Sequence, residues 1–464
     1  MIFTFKIKNK EKCTMENGTI KTISFGTDGI RAHANEFPFT QDALYALGKS
    51  IGEWTIKKYH ATNNPHILIG HDTRISCNQI KNDLIKGLAT YPLTIFDGKT
   101  IPTPAVCQLI QNDKKFNIGI VISASHNPYQ DNGIKLFDAL HSKISKDDET
   151  TIIALFEKYY KQEDTPQKSQ AQIVDWPKAA EIYTQNIINQ FPSEFLSGLK
   201  IVLDCANGAT YAIAPLLFQK LGATVITTGV QPTGININKE CGSLYPNHIS
   251  LLVKQHQADI GFAFDGDGDR LIVVNKHGTI KNGDDLLFLL LSLPEFKDIT
   301  TVVGTIMSNQ GFEEALKKNN KRLIRTKVGD KYVAQEMKKQ HLPLGGEISG
   351  HVIIKDYLST SDGIFVALKT LLAIVQTKNW DIETFIPYPQ SLINVAIKNK
   401  KDLTLPHLAD IIKKYESQLT YGRILVRYSA TENILRVMVE ASSQENVTQT
   451  AEKLATELKQ AIDN

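Results

Sequence analysis

Apolar residues along this chain follow two rhythms. Short β-branched runs bounded by turn residues, Asn117 to Ile122, Lys200 to Asp204, Ile260 to Phe264 and Leu271 to Asn275, read as strands. Shorter runs at His66 to Gly70, Thr94 to Phe96 and Thr224 to Thr227 read the same way, and Ile23 to Phe25 reads as an edge strand. Between them, apolar residues at helical spacing predict helices over Gln41 to Tyr59, Gln79 to Leu88, Lys146 to Lys161, Pro177 to Phe191, Tyr211 to Leu221 and His248 to Gln257. The alternation restarts near Asn282, with a helix to Leu293, a strand from Thr301 to Ile306 and helices over Gly311 to Lys318 and Lys331 to Gln340. Near Tyr388 it gives way to two strands, Arg423 to Tyr428 and Leu435 to Glu440, and a closing helix from Gln444 to Ile462.

Strand and helix in alternation predict an α/β fold: three similar mixed α/β domains, then a C-terminal α+β domain of different design. The boundaries fall at an N-terminal extension 1–21, domain 1 over 22–165, domain 2 over 172–278, domain 3 over 279–385 and domain 4 over 388–464. A length of 464 residues fits this count, at about 100 to 200 residues per domain.

Composition narrows the partners. With 42% hydrophobic and 22% charged residues, the chain has ample material for buried cores. A formal charge of +3 over this length makes no electrostatic case for nucleic acid or a membrane surface. Five cysteines, Cys13, Cys77, Cys107, Cys205 and Cys241, lie far apart with no Cys-x-x-Cys spacing, which predicts a reducing, cytoplasmic setting. No apolar run approaches the roughly 18 to 20 residues that span a bilayer, and the first residues lack the pattern of a secretion signal.

The chemistry begins where the strand ending at Ile122 delivers Ser123, Ala124, Ser125, His126, Asn127 and Pro128 into a loop, with Asn132-Gly133 read as a second turn. Taken alone, these hydroxyls satisfy backbone groups in a polar turn. Asp265, Gly266, Asp267, Gly268 and Asp269, followed by Arg270, carry a sharper signal. Three carboxylates at alternate positions, separated by glycines, can converge on one hard cation. A calcium loop of the EF-hand type needs glycine at its sixth position and glutamate at its twelfth, where this chain has Arg270 and Lys276. Magnesium fits better, because it leaves coordination positions open for a phosphate. If Ser125 carries that phosphate, Arg270 neutralises charge beside it. Glu347, Ser349 and His351 alternate in a glycine-rich loop suited to sugar hydroxyls, or to an ordinary turn. Arg427, Ser429, Thr431, Asn433 and Arg436 offer cations, hydroxyls and amides for a phosphate dianion, or a polar hairpin.

In this order the four motifs resemble the α-D-phosphohexomutase superfamily, from about Ile23 to the C terminus. The stretches Asp204 to Tyr211, Gly234 to Asn238 and Val328 to Val333 are similar to the bacterial branch that acts on glucosamine phosphates. The chain departs from the family pattern at Ala430, Asn433, Lys331 and Ile348. The resemblance implies a heart-shaped, four-domain molecule around a central cleft, and phosphoserine at Ser125. It implies Mg2+ at Ser125, Asp265, Asp267 and Asp269, with Arg31, Lys135, Arg270 and His126 at the phosphoryl-transfer centre. Glu347, Ser349 and His351 are then the sugar loop, and Ser429, Thr431, Asn433 and Arg436 the grip on the distal phosphate. The implied reaction interconverts glucosamine 6-phosphate and glucosamine 1-phosphate through a sugar 1,6-bisphosphate, toward UDP-N-acetylglucosamine and cell-wall precursors. The partners would be small sugar phosphates, with no nucleic acid or membrane, for a monomer or homodimer. The competing expectations are a phosphomannomutase or phosphoglucomutase, a metal-dependent phosphohydrolase, and a catalytically silent sugar-phosphate sensor.

Overall fold

The computed structural model describes residues 21–138, 143–161, 168–419, 422–429 and 433–463, without the side chains of 445 and 446. The expected extension 1–21 lies, but for its last residue, outside them. The chain forms two compact units, one reaching to Ile249 and including Ala263–Asp269, the other comprising Ser250–Phe262 and Arg270–Asn464.

The first sheet contains β1 (Ile30–His33), β2 (His66–His71), β3 (Thr94–Thr100), β4 (Phe116–Ile122), β5 (Asp131–Asp138) and β6 (Gln172–Asp175), in the order β1-β5-β4-β2-β3-β6. β2, β3, β4 and β6 run parallel, while β5 is antiparallel to both β4 and β1. Helices α1 (Gln41–Lys58), α2 (Cys77–Leu88) and α4 (Lys146–Lys161) share one apolar core with Ile67, Ile69, Ile118, Ile120 and Ile122 of the sheet. Helix α3 (Thr103–Asn112) takes the other face, where a Cβ on Gly119 would lie 2.8 Å from Val106. Because both faces are covered, β4 is nearly continuous apolar sequence.

Two expectations change here. Ile23 to Phe25 forms no strand; the edge strand is the more polar Ile30–His33. Asn132-Gly133 is not a turn but part of β5, where Gly133 pairs with Arg31. The glycine is needed for close approach, since a Cβ there would lie 2.4 Å from Ser123 O. The reversal falls instead at Tyr129-Gln130.

The second sheet is built from β7 (Lys200–Asp204), β8 (Thr224–Thr228), β9 (Ile260–Phe264), β10 (Leu271–Asn275) and β11 (Ile280–Lys281), in the order β11-β10-β9-β7-β8. Its helices are α5 (Ala179–Ile188), α6 (Ile213–Lys220) and α7 (Pro246–His256). The third sheet, β13-β12-β14-β15, uses β12 (Thr301–Thr305), β13 (Arg322–Thr326), β14 (Leu344–Gly346) and β15 (Val352–Ile354). With it come α8 (Gly283–Leu290), α9 (Gln310–Lys318), α10 (Asp330–Gln340) and α11 (Gly363–Thr377); a reciprocal capping box between Asn282 and Asp285 starts α8.

The last sheet is antiparallel and three-stranded, not two-stranded as expected. β16 (Gln390–Ala396) joins β17 (Gly422–Tyr428) and β18 (Ile434–Ala441) in the order β16-β18-β17. Helices α12 (Pro406–Glu416) and α13 (Gln444–Asp463) cover it, burying Leu435, Val437 and Val439 with Leu454 and Leu458. The result is three α/β domains followed by a smaller α+β domain. Among the described residues no helix is long and apolar enough to cross a membrane.

Candidate active site

Ser125 follows β4, the strand flanked by β5 and β2, and is 1% exposed. Its φ of 53° places an ordinary residue in the left-handed region, where L-residues are disfavoured by about 1 to 2 kcal/mol. Local hydrogen bonds hold it there. Ser123 Oγ donates to Asp72 at 2.6 Å and accepts the Ser125 N–H at 2.9 Å. Ser125 Oγ donates to Asp265 Oδ2 at 2.6 Å, and His126 Nδ1 lies 3.4 Å away.

The acidic loop begins as β9 ends. Its glycines do more than separate carboxylates. A Cβ on Gly266 would lie 2.5 Å from Ser125 O, and one on Gly208 would lie 2.3 Å from Gly266 O, so two loops pack backbone to backbone against the acidic one. Asp265, Asp267 and Asp269 are all buried, and one carboxylate oxygen from each lies within 4.8 Å of the others.

Lys135, from β5, enters this group. Its Nζ is 2.7 Å from Asp267, 3.2 Å from Asp269 and 2.8 Å from Asp28. Burial alone would lower the Lys135 pKa, but the charges of Asp267, Asp28 and Asp269 hold it well above its usual range. For Asp28, burial pushes the pKa upward, and the charges of Lys135, Lys143 and Arg31 hold it well below the carboxylate range. Arg31 pairs with Asp28 and donates to Asn127 Oδ1 at 3.4 Å, which brings it to the serine loop. Thr103, at the start of α3, donates its hydroxyl to Asp267 Oδ2 and its N–H to Asp267 O at 2.9 Å.

This donor set fits a hard divalent cation. It is all oxygen, and Asp267 Oδ1 is buried without a hydrogen-bond partner. Arg270 directly follows the triplet, half-buried, ahead of β10.

The other two motifs lie in the second unit. Glu347 to Gly350 makes a tight turn between β14 and β15, closed by the Gly350 N–H on Glu347 O at 3.0 Å and the Glu347 N–H on His351 O at 2.9 Å. Glu347 Oε1 accepts the Gly329 N–H at 2.9 Å. Ser349 is half-buried, whereas His351 is buried, its Nε2 3.7 Å from Asp330 and neither ring nitrogen hydrogen-bonded.

In the last sheet Arg427 and Arg436 are directly opposed cross-strand partners. Burial, and then the Arg436 charge, lower the Arg427 pKa, while Arg436 Nε is buried with no partner. Like charges placed opposite each other destabilise a sheet, so the pair is suited to a bound anion. Ser429 is buried and donates its N–H to Ile434 O at 2.8 Å, and Asn433 reaches Lys398 O at 3.4 Å. Thr431 lies outside the described residues, as does Ala430.

Four phosphoglucomutase/phosphomannomutase family models match in order: α/β/α domain I over residues 22–163, domain II over 181–278, domain III over 282–386 and the C-terminal domain over 392–457. A phosphoglucosamine mutase of Geotalea uraniireducens is 40% identical over 445 residues, covering 93% of this chain and 96% of that one. The chain belongs to the phosphoglucosamine mutase family. It is therefore a phosphohexomutase, an isomerase. Two solved structures share the fold. A phosphoglucomutase/phosphomannomutase family protein of Burkholderia thailandensis superposes with a TM-score of 0.75 at 21% identity, covering 94% of this chain and 97% of that one. N-acetylphosphoglucosamine mutase of Aspergillus fumigatus, in complex with GlcNAc-6P and magnesium, gives 0.64 at 17% identity, covering 97% of each.

Sequence reasoning missed several residues of this candidate site. Asp28 gathers Arg31, Lys135 and Lys143; Thr103 holds Asp267; Lys400 donates to Ser429 O at 2.7 Å. The available signals were the acidic residue between Gly26 and Gly29, and the basic run Lys398 to Lys401 beside the last sheet.

Proposed function

We propose that the chain interconverts glucosamine 6-phosphate and glucosamine 1-phosphate with Ser125 as the phosphoryl carrier. The observation that carries this reading is the Ser125 hydroxyl, fixed 2.6 Å from Asp265 inside a buried triplet of carboxylates. Phospho-Ser125 donates to a substrate hydroxyl: the bond from phosphorus to Ser125 Oγ breaks as a bond to the sugar oxygen forms. The sugar hydroxyl gives its proton to a basic side chain of the site, and Oγ regains one. The sugar 1,6-bisphosphate then turns over, and the reverse transfer returns its other phosphate to Ser125.

Asp265, Asp267 and Asp269, with the Ser125 phosphate, would hold Mg2+, which when bound supplies Lewis-acid polarisation of phosphate oxygens. Arg31, Lys135 and Arg270 balance negative charge around the transferring group, and His126 borders it. Glu347, Ser349 and His351 read the sugar. Arg427, Ser429, Thr431, Asn433 and Arg436 hold the distal phosphate, so that each end of the bisphosphate is gripped in turn. Support for these ligand classes comes from the Aspergillus neighbour, solved with GlcNAc-6P and magnesium.

The test is a parallel measurement of kcat/KM on glucosamine, glucose and mannose phosphates, with magnesium and a trace of sugar bisphosphate. The expected result is a clear preference for glucosamine phosphate. Preference for mannose or glucose phosphate overturns the sugar, and sustained release of inorganic phosphate without isomer formation overturns the mutase.

A further inference from the structure

The serine loop carries a second layer of contacts that touches backbone only. Arg74, wholly buried, lies beside it and is neutralised by Asp72 at 2.9 Å. Its Nη2 donates to Ser125 O at 3.0 Å and to Asn127 O at 2.8 Å, while Nη1 donates to Asp131 O at 3.0 Å and also to Pro128 O. Asn238, which follows β8 in sequence, donates through Nδ2 to the same two carbonyls, Ser125 O at 2.9 Å and Asn127 O at 3.1 Å. Asn238 has its own φ of 58° and is anchored by its N–H on Ala206 O at 2.9 Å.

Asp72 completes the arrangement. Besides Arg74 it takes the Ser123 hydroxyl proton, which leaves a Ser123 lone pair for the Ser125 N–H. The N–H of Ser125 is thus set from one side and its C=O from two others, around a backbone conformation that persists only when its surroundings over-determine it.

We infer that Arg74 and Asn238 are positioning residues for phosphoryl transfer, clamping the Ser125 peptide so that Oγ is held toward Asp265. The inference rests on the reading of Ser125 as phosphoryl carrier. A buried arginine spread over four carbonyls of one loop is more than packing requires. A misplacement of about 1 Å at a reacting atom can cost about a hundredfold in rate.

The decisive variant is Asn238→Asp. Aspartate has nearly the same shape and tolerates positive φ, but it turns a donor into an acceptor aimed at two carbonyl oxygens. Arg74→Lys is its companion, retaining the charge but losing the planar fork. In the full chain, steady-state kinetics, single-turnover transfer from phospho-Ser125 loaded by a sugar bisphosphate, and thermal melting are measured together, with Ser125→Ala as control. The expected result for Asn238→Asp is a fall in kcat and in the transfer step of about a hundredfold, with KM within about threefold of the parent.

A folded Asn238→Asp protein with parental kcat, beside an inactive Ser125→Ala, overturns the clamp and leaves the phosphoserine reading standing. Loss of kcat that tracks a lowered melting temperature and recovers on cooling also overturns it, in favour of a structural role. Should Arg74→Lys fail to fold, Asn238→Asp decides alone. If Ser125→Ala keeps its activity, the phosphoserine reading falls and the clamp with it.

Discussion

Around Ser125, Lys135 Nζ sits within 3.2 Å of Asp267, Asp269 and Asp28, and Asp28 also pairs with Arg31 and Lys143. In the last sheet, Arg427 faces Arg436 across two strands, with no carboxylate in ion-pair reach of either among the described residues. One region is compensated by its own side chains before any ligand arrives; the other leaves a deficit for the ligand to fill. The difference matches the tasks proposed for them. A transferring group needs surroundings fixed in advance, whereas a site that must take and release a phosphate dianion gains from electrostatic energy that stays unspent in the free protein.

The largest expected effect belongs to the compensated centre. Ser125→Ala should lower mutase turnover by roughly 10⁴-fold or more while substrate binding persists, because the covalent carrier is gone and the distal grip is not. Turnover and a binding isotherm on the same preparation check this, and near-parental turnover refutes the carrier role.

Lys135→Met tests the compensation itself. Removing the ammonium that Asp28 shares with Asp267 and Asp269 leaves buried carboxylates short of positive charge, at a cost of about 3 to 5 kcal/mol in unfolding free energy. Denaturant unfolding with chelator should show the full loss. With magnesium the loss should shrink, since ligand that binds only the native state stabilises it. An equal loss in both conditions argues that the triplet does not hold the metal in the absence of the ammonium.

Asp284 sharpens the comparison with a buried carboxylate of the second unit that has no ion-pair partner among the described residues. Burial raises its pKa to about 7, against the Asn309 N–H at 2.7 Å, the Ser308 hydroxyl and the more distant Arg325 charge. A folded pKa above the unfolded value means that the native state holds the extra proton between about pH 4 and 7. The stability it contributes is therefore present in acid and is lost as pH rises through 7. Asp284→Asn should be near neutral below about pH 4 and more stable than the parent by about 4 kcal/mol at pH 8, with the difference growing between, by urea unfolding. A pH-independent difference would place the raised titration elsewhere.

The two regions were unequally legible in the sequence. The Asp265, Asp267, Asp269 triplet is a local pattern, readable within six residues because its chemistry depends on neighbours in the chain, whereas the Ser125 loop alone reads as a polar turn and draws its functional reading from the distant triplet. Asp28, Arg74, Thr103 and Asn238 acquire their roles only through pairing and packing: Arg31 opposite Gly133, Thr103 against Asp267, Asn238 on Ser125 O. Gly133 shows how a local rule fails, because the glycine that usually marks a turn serves here to admit Ser123 O within a strand. The α/β alternation was legible because buried parallel strands are continuous apolar runs. β16 was not, since its exposed and half-buried residues alternate without a strong apolar face. The arginine pair was visible as two basic residues, but their opposition depends on strand register.

That register supplies the smallest prediction. Arg436→Met removes one of two opposed like charges and should raise the unfolding free energy of the ligand-free protein by about 0.2 to 1 kcal/mol. The gain should fade as salt screens the pair. The same variant should weaken substrate use, since a charge-assisted contact to phosphate is lost. Opposite signs in stability and kcat/KM are what a site reserved for an anion requires; if Arg436→Met destabilises the free protein at low salt, the arginine is already partnered within the sheet and the contrast with the serine centre disappears.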